Sequence, residues 1–443
     1  MKPVLQVALD FLNLKRALQL ADEAVKGGVD WLEAGTPLIK SEGLDAIRQL
    51  RKKFPKATII ADMKIMDAGR IETEAAAKAG ADIVCVLAAA SDSTIRECVE
   101  AGKNYGAKIE ADMMGIKSED IIRRAKEVER LGVDYIGVHC AIDEQMKGKN
   151  AFTKLKNVAK AVNVPLAIAG GINSETASEA VKAGAHIIIV GGAITKDKNP
   201  AKAAGIIKKA IATGKIIKTD LFKRVSADDI HKILKGVSTS NISDAMHRSG
   251  DLKGIHPLFQ GIKMAGPALT IRTYPGDWAK TVEAVDKAQP GTVLVIDAGG
   301  VGPAVWGELA SHGAIQKRIA GVVVDGAVRD TAEIRKLKFP VFSKLITPTA
   351  GEPKGFGEID VPVTAGGVKI TSGDWIVGDD DGVVCIPKEK AVEIANRAMG
   401  VLEQENRLRT EIDRGSTLAQ VVELTRWESH RCRALNKKLP RNS

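Results

Sequence analysis

The chain has 443 residues, 44% hydrophobic and 27% charged, an ordinary balance for a folded protein with room for two or three cored domains. Aromatics make up only 4% while glycine numbers 43, which suits small-residue α/β packing and argues against stacking platforms for single-stranded nucleic acid. The net charge of +10 is dispersed over lysine-rich segments, with one basic tail at Arg431, Arg433, Lys437, Lys438 and Arg441, so a nucleic-acid role for the whole chain is the weakest reading. Cysteines at 85, 98, 140, 385 and 432 show neither metal-ligand spacing nor a disulfide framework. No charged-then-apolar leader opens the sequence, and no apolar run reaches membrane-spanning length, so the expectation is a cytoplasmic protein.

Taken in chain order, the first half repeats one unit. Apolar runs at Val4–Leu9, Val29–Ala34, Thr58–Ala61, Ala81–Leu87, Ala107–Ala111, Val133–Val138, Val164–Ala169 and Ile187–Val190 read as buried strands. Amphipathic stretches such as Asn13–Lys26 and Glu72–Lys78 lie between them, and Gly27-Gly28, Gly80, Gly132 and Gly184 stand where helices stop. Eight strand–helix alternations in about 215 residues are the arithmetic of a (β/α)8 TIM barrel. An open doubly wound sheet, the alternative, usually has fewer strands.

The polar residues collect at one end of these strands. Asp10, Glu33, Asp62 with Lys64, Asp112 and His139 end strands one, two, three, five and six, and Gly170-Gly171 and Gly191-Gly192 follow strands seven and eight. In a barrel all of these meet at the carboxyl-terminal face, where catalysis sits and where the last two loops bind phosphate. Glycine pairs allow backbone N–H groups to approach phosphate oxygens. On a strand, Asp62 and Lys64 share a face, and Asp67 falls in the loop beyond. Buried charges of this kind form either a structural ion pair or an active site. Taken singly, His139 reads as a satisfied core histidine and Gly191-Gly192 as a plain turn; seven of eight strands marked at the same end argue otherwise.

Residues 1 to about 212 resemble the 3-hexulose-6-phosphate synthases of the orotidine-5′-phosphate decarboxylase superfamily. The resemblance rests on Val7-Ala8-Leu9-Asp10, Glu33-Ala34-Gly35-Thr36-Pro37, Asp62 through Gly69, Ala169-Gly170-Gly171-Ile172 and Val190-Gly191-Gly192-Ala193-Ile194-Thr195. It implies that Glu33 and Asp62 hold Mg2+, which needs few protein ligands because it keeps waters. It further implies aldol addition of formaldehyde to D-ribulose 5-phosphate, giving D-arabino-3-hexulose 6-phosphate reversibly. Lys64 would stabilise the developing oxyanion, His139 is the candidate acid/base, and Asp67 would reach a neighbouring subunit's site in a dimer. The related keto-gulonate-6-phosphate decarboxylases are the alternative; they typically carry arginine near position 192, where Gly192 stands.

Asn199-Pro200 begins the last barrel helix and Gly214 ends it, which puts the domains at 1–215 and 216–443. Beyond the boundary, runs at Ala268–Ile271, Val293–Ile296, Val322–Val324, Ile376–Val377 and Val383–Ile386 predict mixed, partly antiparallel β structure, with a long final helix over Lys388–Asp413. The informative stretch is Gly307-Glu308 followed by the run Val322–Glu333, where Arg329-Asp330 at a helix start suits a metal-bound anion, although for an Arg-Asp pair alone an ordinary helix N-cap with a surface arginine is the better reading.

Residues 220 to 425 resemble the family of the regulator of ribonuclease E activity A, which includes 4-hydroxy-4-methyl-2-oxoglutarate aldolases and oxaloacetate decarboxylases. The resemblance implies a swivelling α/β/β layered domain, commonly trimeric. Asp330 would ligate Mg2+, Arg329 would grip a 2-oxo-acid carboxylate, and Glu308 would position a proton-transferring water. Glu333 completes the matching acidic pattern. Two functions follow for this half: a metal-dependent lyase on a 2-oxo acid, or a regulator that binds a ribonuclease or RNA helicase.

Overall fold

The computed structural model describes residues 2–219, 222–224 and 230–422. The basic tail and Cys432 lie outside them. The chain forms two compact units, one of Met1–Gln145, Lys149–Lys223 and Glu403–Ser443, the other of Met146–Gly148 and Arg224–Leu402.

In the first unit, strands β1 (Val4–Leu9), β2 (Trp31–Ala34), β3 (Thr58–Ile65), β4 (Ile83–Leu87), β5 (Lys108–Asp112), β6 (Tyr135–His139), β7 (Leu166–Ala169) and β8 (Ile187–Val190) close into a barrel in sequence order. Every pairing is parallel, including the closing one between β8 and β1. The strands are apolar on both faces because both are buried. Leu5, Val7, Ile59 and Ala61 pack outward beneath the helices, while Ile60, Ile83, Cys85, Tyr135, Ala167 and Ile187 fill the interior. Aspartates pin the opposite, amino-terminal ends: the amides of Leu5, Ile59 and Ile109 donate to Asp30, Asp82 and Asp134.

Caps set the helix boundaries. Asn13 accepts from the Arg16 amide ahead of the helix Leu14–Lys26, and Asn199 does the same for Lys202 ahead of Pro200–Thr213. Gly80, Gly132 and Gly214 end their helices with a left-handed backbone, which glycine adopts without penalty.

The second unit holds β9 (His256–Pro257), β10 (Met264–Arg272), β11 (Val293–Asp297), β12 (Ala304–Trp306), β13 (Gly321–Val328), β14 (Val341–Ile346) and β15 (Glu358–Ile359). These are followed by β16 (Val363–Ala365), β17 (Val368–Ile370), β18 (Trp375–Asp379) and β19 (Gly382–Ile386). The main sheet runs β19-β18-β10-β11-β13-β14-β9, with β12 on β13 and β15 on β10. Its centre is parallel and its edges antiparallel, as the sequence leads one to expect. Alternation along β11 divides the core. Leu294 and Ile296 pack with Ala284, Ala314 and Ile334 from three helices, while Val293 and Val295 pack with Val363, Ala365 and Ile370 from the β16–β17 hairpin. The result is an α/β/β layered domain. The long helix Ala391–Asp413 follows β19 after a single 3-10 turn, and a short helix, Leu418–Val421, comes after it.

Candidate active site

The strand ends that the sequence marks as polar meet at the carboxyl-terminal mouth of the barrel. Lys64 Nζ donates to both carboxylate oxygens of Asp62, at 2.9 and 2.8 Å, and lies 3.4 Å from Asp112 Oδ2. Asp112 Oδ2 also meets His139 Nδ1 at 3.1 Å, while Asp112 Oδ1 accepts from the Met114 amide at 2.9 Å. Thr36 Oγ1 holds Asp62 from the other side at 2.7 Å. The result is a continuous chain, Thr36–Asp62–Lys64–Asp112–His139, drawn from strands β3, β5 and β6 and the first residue of the helix Thr36–Glu42 that follows β2.

Asp62 and Lys64 do share a side, but not through plain strand alternation. The β3–β4 register slips between Ala61 and Ile65, and Lys64 has a left-handed backbone (φ 49°). That region is rare for lysine and costs on the order of 1–3 kcal/mol. The bulge swings the ammonium onto Asp62, a placement no periodicity could show.

Electrostatics assign states to these groups. Burial pulls the Lys64 ammonium pKa down, but the charges of Asp62 and Asp112 and the hydrogen bond to Asp62 outweigh it, so the net shift is upward. Lys64 is therefore a fixed cation, able to stabilise an oxyanion and unable to serve as a base. Burial acts to raise Asp112, yet the His139 hydrogen bond, with the charges of His139 and Lys64, leaves it lowered and ionised. An ionised Asp112 on Nδ1 orients the imidazole and leaves Nε2 for proton transfer, the logic of an orienting carboxylate.

Glu33 lies deeper, buried, with its Oε2 accepting from Gln6 Nε2 at 2.6 Å. Its carboxyl is pushed well up by burial first, then by the charges of Asp62 and Asp10. Asp10 is open to solvent on one side; the protein around its other sides and the Asp62 charge raise it too. Four acidic side chains, Asp10, Glu33, Asp62 and Asp112, thus crowd one ammonium, an excess of negative charge that a divalent cation would relieve. Among the described residues no group of three or more His, Cys, Asp and Glu side chains forms a ready-made metal cage. For an ion such as Mg2+, which fills its shell with water and substrate oxygens, Glu33 and Asp62 are the two carboxylates that could serve as protein ligands.

The remaining expected residues divide. Gly170 and Gly171 have φ of 104° and 73°, and a Cβ at Gly170 would stand 2.4 Å from the Cys140 carbonyl oxygen, so glycine is required there. At Gly191 and Gly192 a Cβ would meet Asp10 and Lys196 at ordinary contact distances, 3.7 and 3.6 Å. Asp67 stands apart from the chain of charges: it is exposed and accepts from the adjacent Ala68 amide at 2.6 Å. Gln6, Lys196 and Glu110 belong to this neighbourhood and were not singled out by sequence, though Lys-x-Glu-x-Asp along β5 is an inward-facing alternation that could have found Glu110.

In the second unit, Asp330 Oδ2 accepts from the Glu308 amide at 3.2 Å and lies 3.5 Å from Arg329 Nε. A Cβ at Gly307 would come within 2.5 Å of the same oxygen, so the glycine before Glu308 is what admits Asp330. Asp330 itself has a left-handed φ of 59°. The Glu308 side chain pairs with His312 at 2.9 Å, and Glu333 turns to Lys336 at 2.7 Å rather than joining the group. Glu308, Arg329 and Asp330 are thus brought together and Glu333 is not.

A fixed ammonium, an oriented imidazole and a carboxylate-rich recess on a barrel rim define an acid–base lyase of the (β/α)8 class. A family model for orotidine 5′-phosphate decarboxylase / HUMPS matches residues 3–207, and an RraA-like model (Aldolase/RraA) matches residues 239–385. The 3-hexulose-6-phosphate synthase of Bacillus subtilis (strain 168) is 44% identical over 211 residues, 47% of this chain and 99% of that protein. That of Mycobacterium gastri is 42% identical over 208 residues, again 47% and 99%. The solved RNA-processing inhibitor RraA from Thermus thermophilis is 31% identical, covers 34% of this chain and 93% of its own, and superposes with a TM-score of 0.32. The chain belongs to the orotidine 5′-phosphate decarboxylase / HUMPS family through its barrel, a lyase related to the 3-hexulose-6-phosphate synthases, and carries an RraA-like domain fused behind it. No helix among the described residues is long and apolar enough to cross a membrane.

Proposed function

We propose that the barrel catalyses the reversible, Mg2+-dependent aldol addition of formaldehyde to D-ribulose 5-phosphate, giving D-arabino-3-hexulose 6-phosphate. The observation that carries this reading is the Lys64 ammonium held between Asp62 and Asp112, with His139 on the far side of Asp112. His139 Nε2 takes the proton from substrate C1, and the electron pair moves onto the C2 oxygen. The Lys64 ammonium faces the resulting enediolate. C1 then attacks the formaldehyde carbon, the ketone re-forms, and the new alkoxide takes a proton from the imidazolium. Mg2+ at Glu33 and Asp62 would supply Lewis-acid polarisation of the keto oxygen, worth several kcal/mol in such reactions.

The Gly170-Gly171 and Gly191-Gly192 turns offer their backbone to the substrate phosphate. In this reading Asp67, exposed and outside its own charge chain, completes the site of a second copy in a homo-oligomer. A sugar phosphate does not cross membranes unaided, so in this reading the protein works in the cytoplasm. The test is hexulose phosphate formation from formaldehyde and ribulose 5-phosphate with Mg2+. Release of CO2 from keto-gulonate 6-phosphate without formaldehyde fixation would select the decarboxylase reading instead.

For the second domain, the convergence of Glu308, Arg329 and Asp330 favours a small-ligand site with Asp330 on Mg2+ and Arg329 on a 2-oxo-acid carboxylate. Pyruvate release from oxaloacetate by the full chain tests it. No release, together with capture of a ribonuclease or helicase, would instead favour the regulator reading.

A further inference from the structure

Glu110 lies on β5 two residues before Asp112, so its side chain enters the barrel interior one layer below the rim. It is 3% exposed, and its Oε2 is sealed from solvent with no hydrogen-bond partner. A buried carboxyl in that condition is a standing liability, and most such groups are paired. The barrel makes room for it nonetheless. On β6 a Cβ at Gly137 would lie 2.5 Å from Glu110 Oε1, so any larger residue there would evict the carboxyl.

Charged and titratable neighbours surround it. Cys85 is its register partner on β4 and Tyr135 on β6, Asp112 shares β5, and Asp62 and Lys64 stand on β3. Burial first, then the charges of Asp112 and Asp62, push the Glu110 carboxyl up to about 8 against the pull of Lys64. Burial, then the Glu110 charge, raises the Cys85 thiol well above its ordinary value, so the thiol brings no competing charge near neutrality.

We propose that Glu110 is a positioning residue of the barrel site: as a neutral acid it leaves the Lys64 ammonium to the substrate oxyanion, and as a carboxylate it competes for that ammonium and silences turnover. The sign follows from the chemistry. The reaction develops negative charge beside Lys64, and one more carboxylate beneath it raises the barrier. Because the role rests on the aldol reading of the barrel, the test separates the two.

The full-length protein and Glu110→Gln are assayed with formaldehyde, ribulose 5-phosphate and Mg2+ from pH 6.5 to 10, with far-UV circular dichroism as a check on folding. The wild type should lose turnover about tenfold per pH unit above the Glu110 transition. In Glu110→Gln, which stays neutral throughout, that alkaline limb should move up by at least one unit, whatever its rate at neutral pH. In parallel, infrared difference spectra of the two proteins should show a carboxylic-acid C=O band that is present at pH 7 in the wild type alone and disappears near pH 8. An unchanged alkaline limb in the variant, or a Glu110 already ionised at pH 7, overturns the role while leaving the aldol reading intact. Absence of turnover at every pH, with the infrared transition present, overturns the aldol reading and the role with it.

Discussion

In the barrel, the side chains of Lys64, Asp62 and Asp112 are 21%, 11% and 7% exposed; in the second domain, those of Arg329 and Asp330 are 44% and 39% exposed. Both sites put a cation against a carboxylate and both use a left-handed backbone at a non-glycine residue, Lys64 in one and Asp330 in the other. They differ in what holds them. The barrel site is a connected, mostly desolvated chain in which each charge fixes the next, so electrostatics there act at low dielectric. The second site is a loosely tied pair at the surface, screened by water, whose strength would have to come from a bound ligand or metal. One cluster is fully assembled in the folded chain; the other is held by little of its own.

The sharpest way to break that contrast is Lys64→Ala. If the ammonium is a preorganised oxyanion partner, turnover should fall by about 10³-fold or more, the scale of losing such a donor. Far-UV circular dichroism should still report a folded barrel. A variant with full formaldehyde-fixing activity would remove Lys64 from the chemistry. Asp62→Ala, read alongside it, should also lose the dependence on Mg2+, and full activity there would sink the metal assignment.

Next in size is Asp112→Asn. The amide keeps the volume but no longer fixes the His139 tautomer or balances an imidazolium, so kcat should fall by about 10²-fold with little change in KM. A change confined to KM would mean that Asp112 binds substrate and does not orient the histidine.

These residues show how far sequence reasoning reaches. Eight apolar runs broken by helical segments were enough for the barrel, and six of its strands differ from the expected runs only at their ends, as Trp31–Ala34 does from Val29–Ala34. Asp62, Lys64, Asp112 and His139 were legible because strand ends in a barrel converge by topology. The bulge that joins Lys64 to Asp62 was not, since it is set by the register against β4 and leaves no period in the sequence. Glu110 escaped for a similar reason. The Lys108-x-Glu110-x-Asp112 alternation hints at it, but its space is provided by Gly137, a neighbour only once β5 and β6 pair. In the second half, the family resemblance grouped Glu333 with Asp330, yet its carboxylate pairs with Lys336 one turn on along the helix instead.

A third prediction concerns pH and metal together. Burial, with neighbouring carboxylates, holds the Glu33 carboxyl well above the ordinary glutamate value and pushes Glu110 up to about 8. The folded barrel therefore holds protons that the unfolded chain has released, and stability present at low pH is lost as pH rises from about 5 through the folded pKa values. The effect is on the order of several kcal/mol at most. In chelator, the melting temperature of the barrel transition should decline from pH 5 to pH 8.5. Mg2+ should restore part of the loss by neutralising Glu33, and Glu110→Gln should flatten the remainder. A melting temperature that is flat with pH in chelator would mean that these carboxyls are not held protonated.

The smallest effect is expected where the comparison began, at Arg329 and Asp330. Their Nε–Oδ2 separation is 3.5 Å and both side chains are well exposed, so the pair belongs with surface ion pairs worth about 0–1 kcal/mol. Arg329→Ala should shift the melting of the second domain by no more than a few degrees. It should also leave formaldehyde fixation untouched, because no residue of the barrel's charge chain depends on it. If Arg329 serves a 2-oxo-acid carboxylate, the same variant should nonetheless abolish oxaloacetate turnover, since a guanidinium fork on a bound carboxylate is worth far more than one facing water. A large loss of stability without ligand would instead make Arg329 a structural residue, and the second domain would then share the preassembled character of the first.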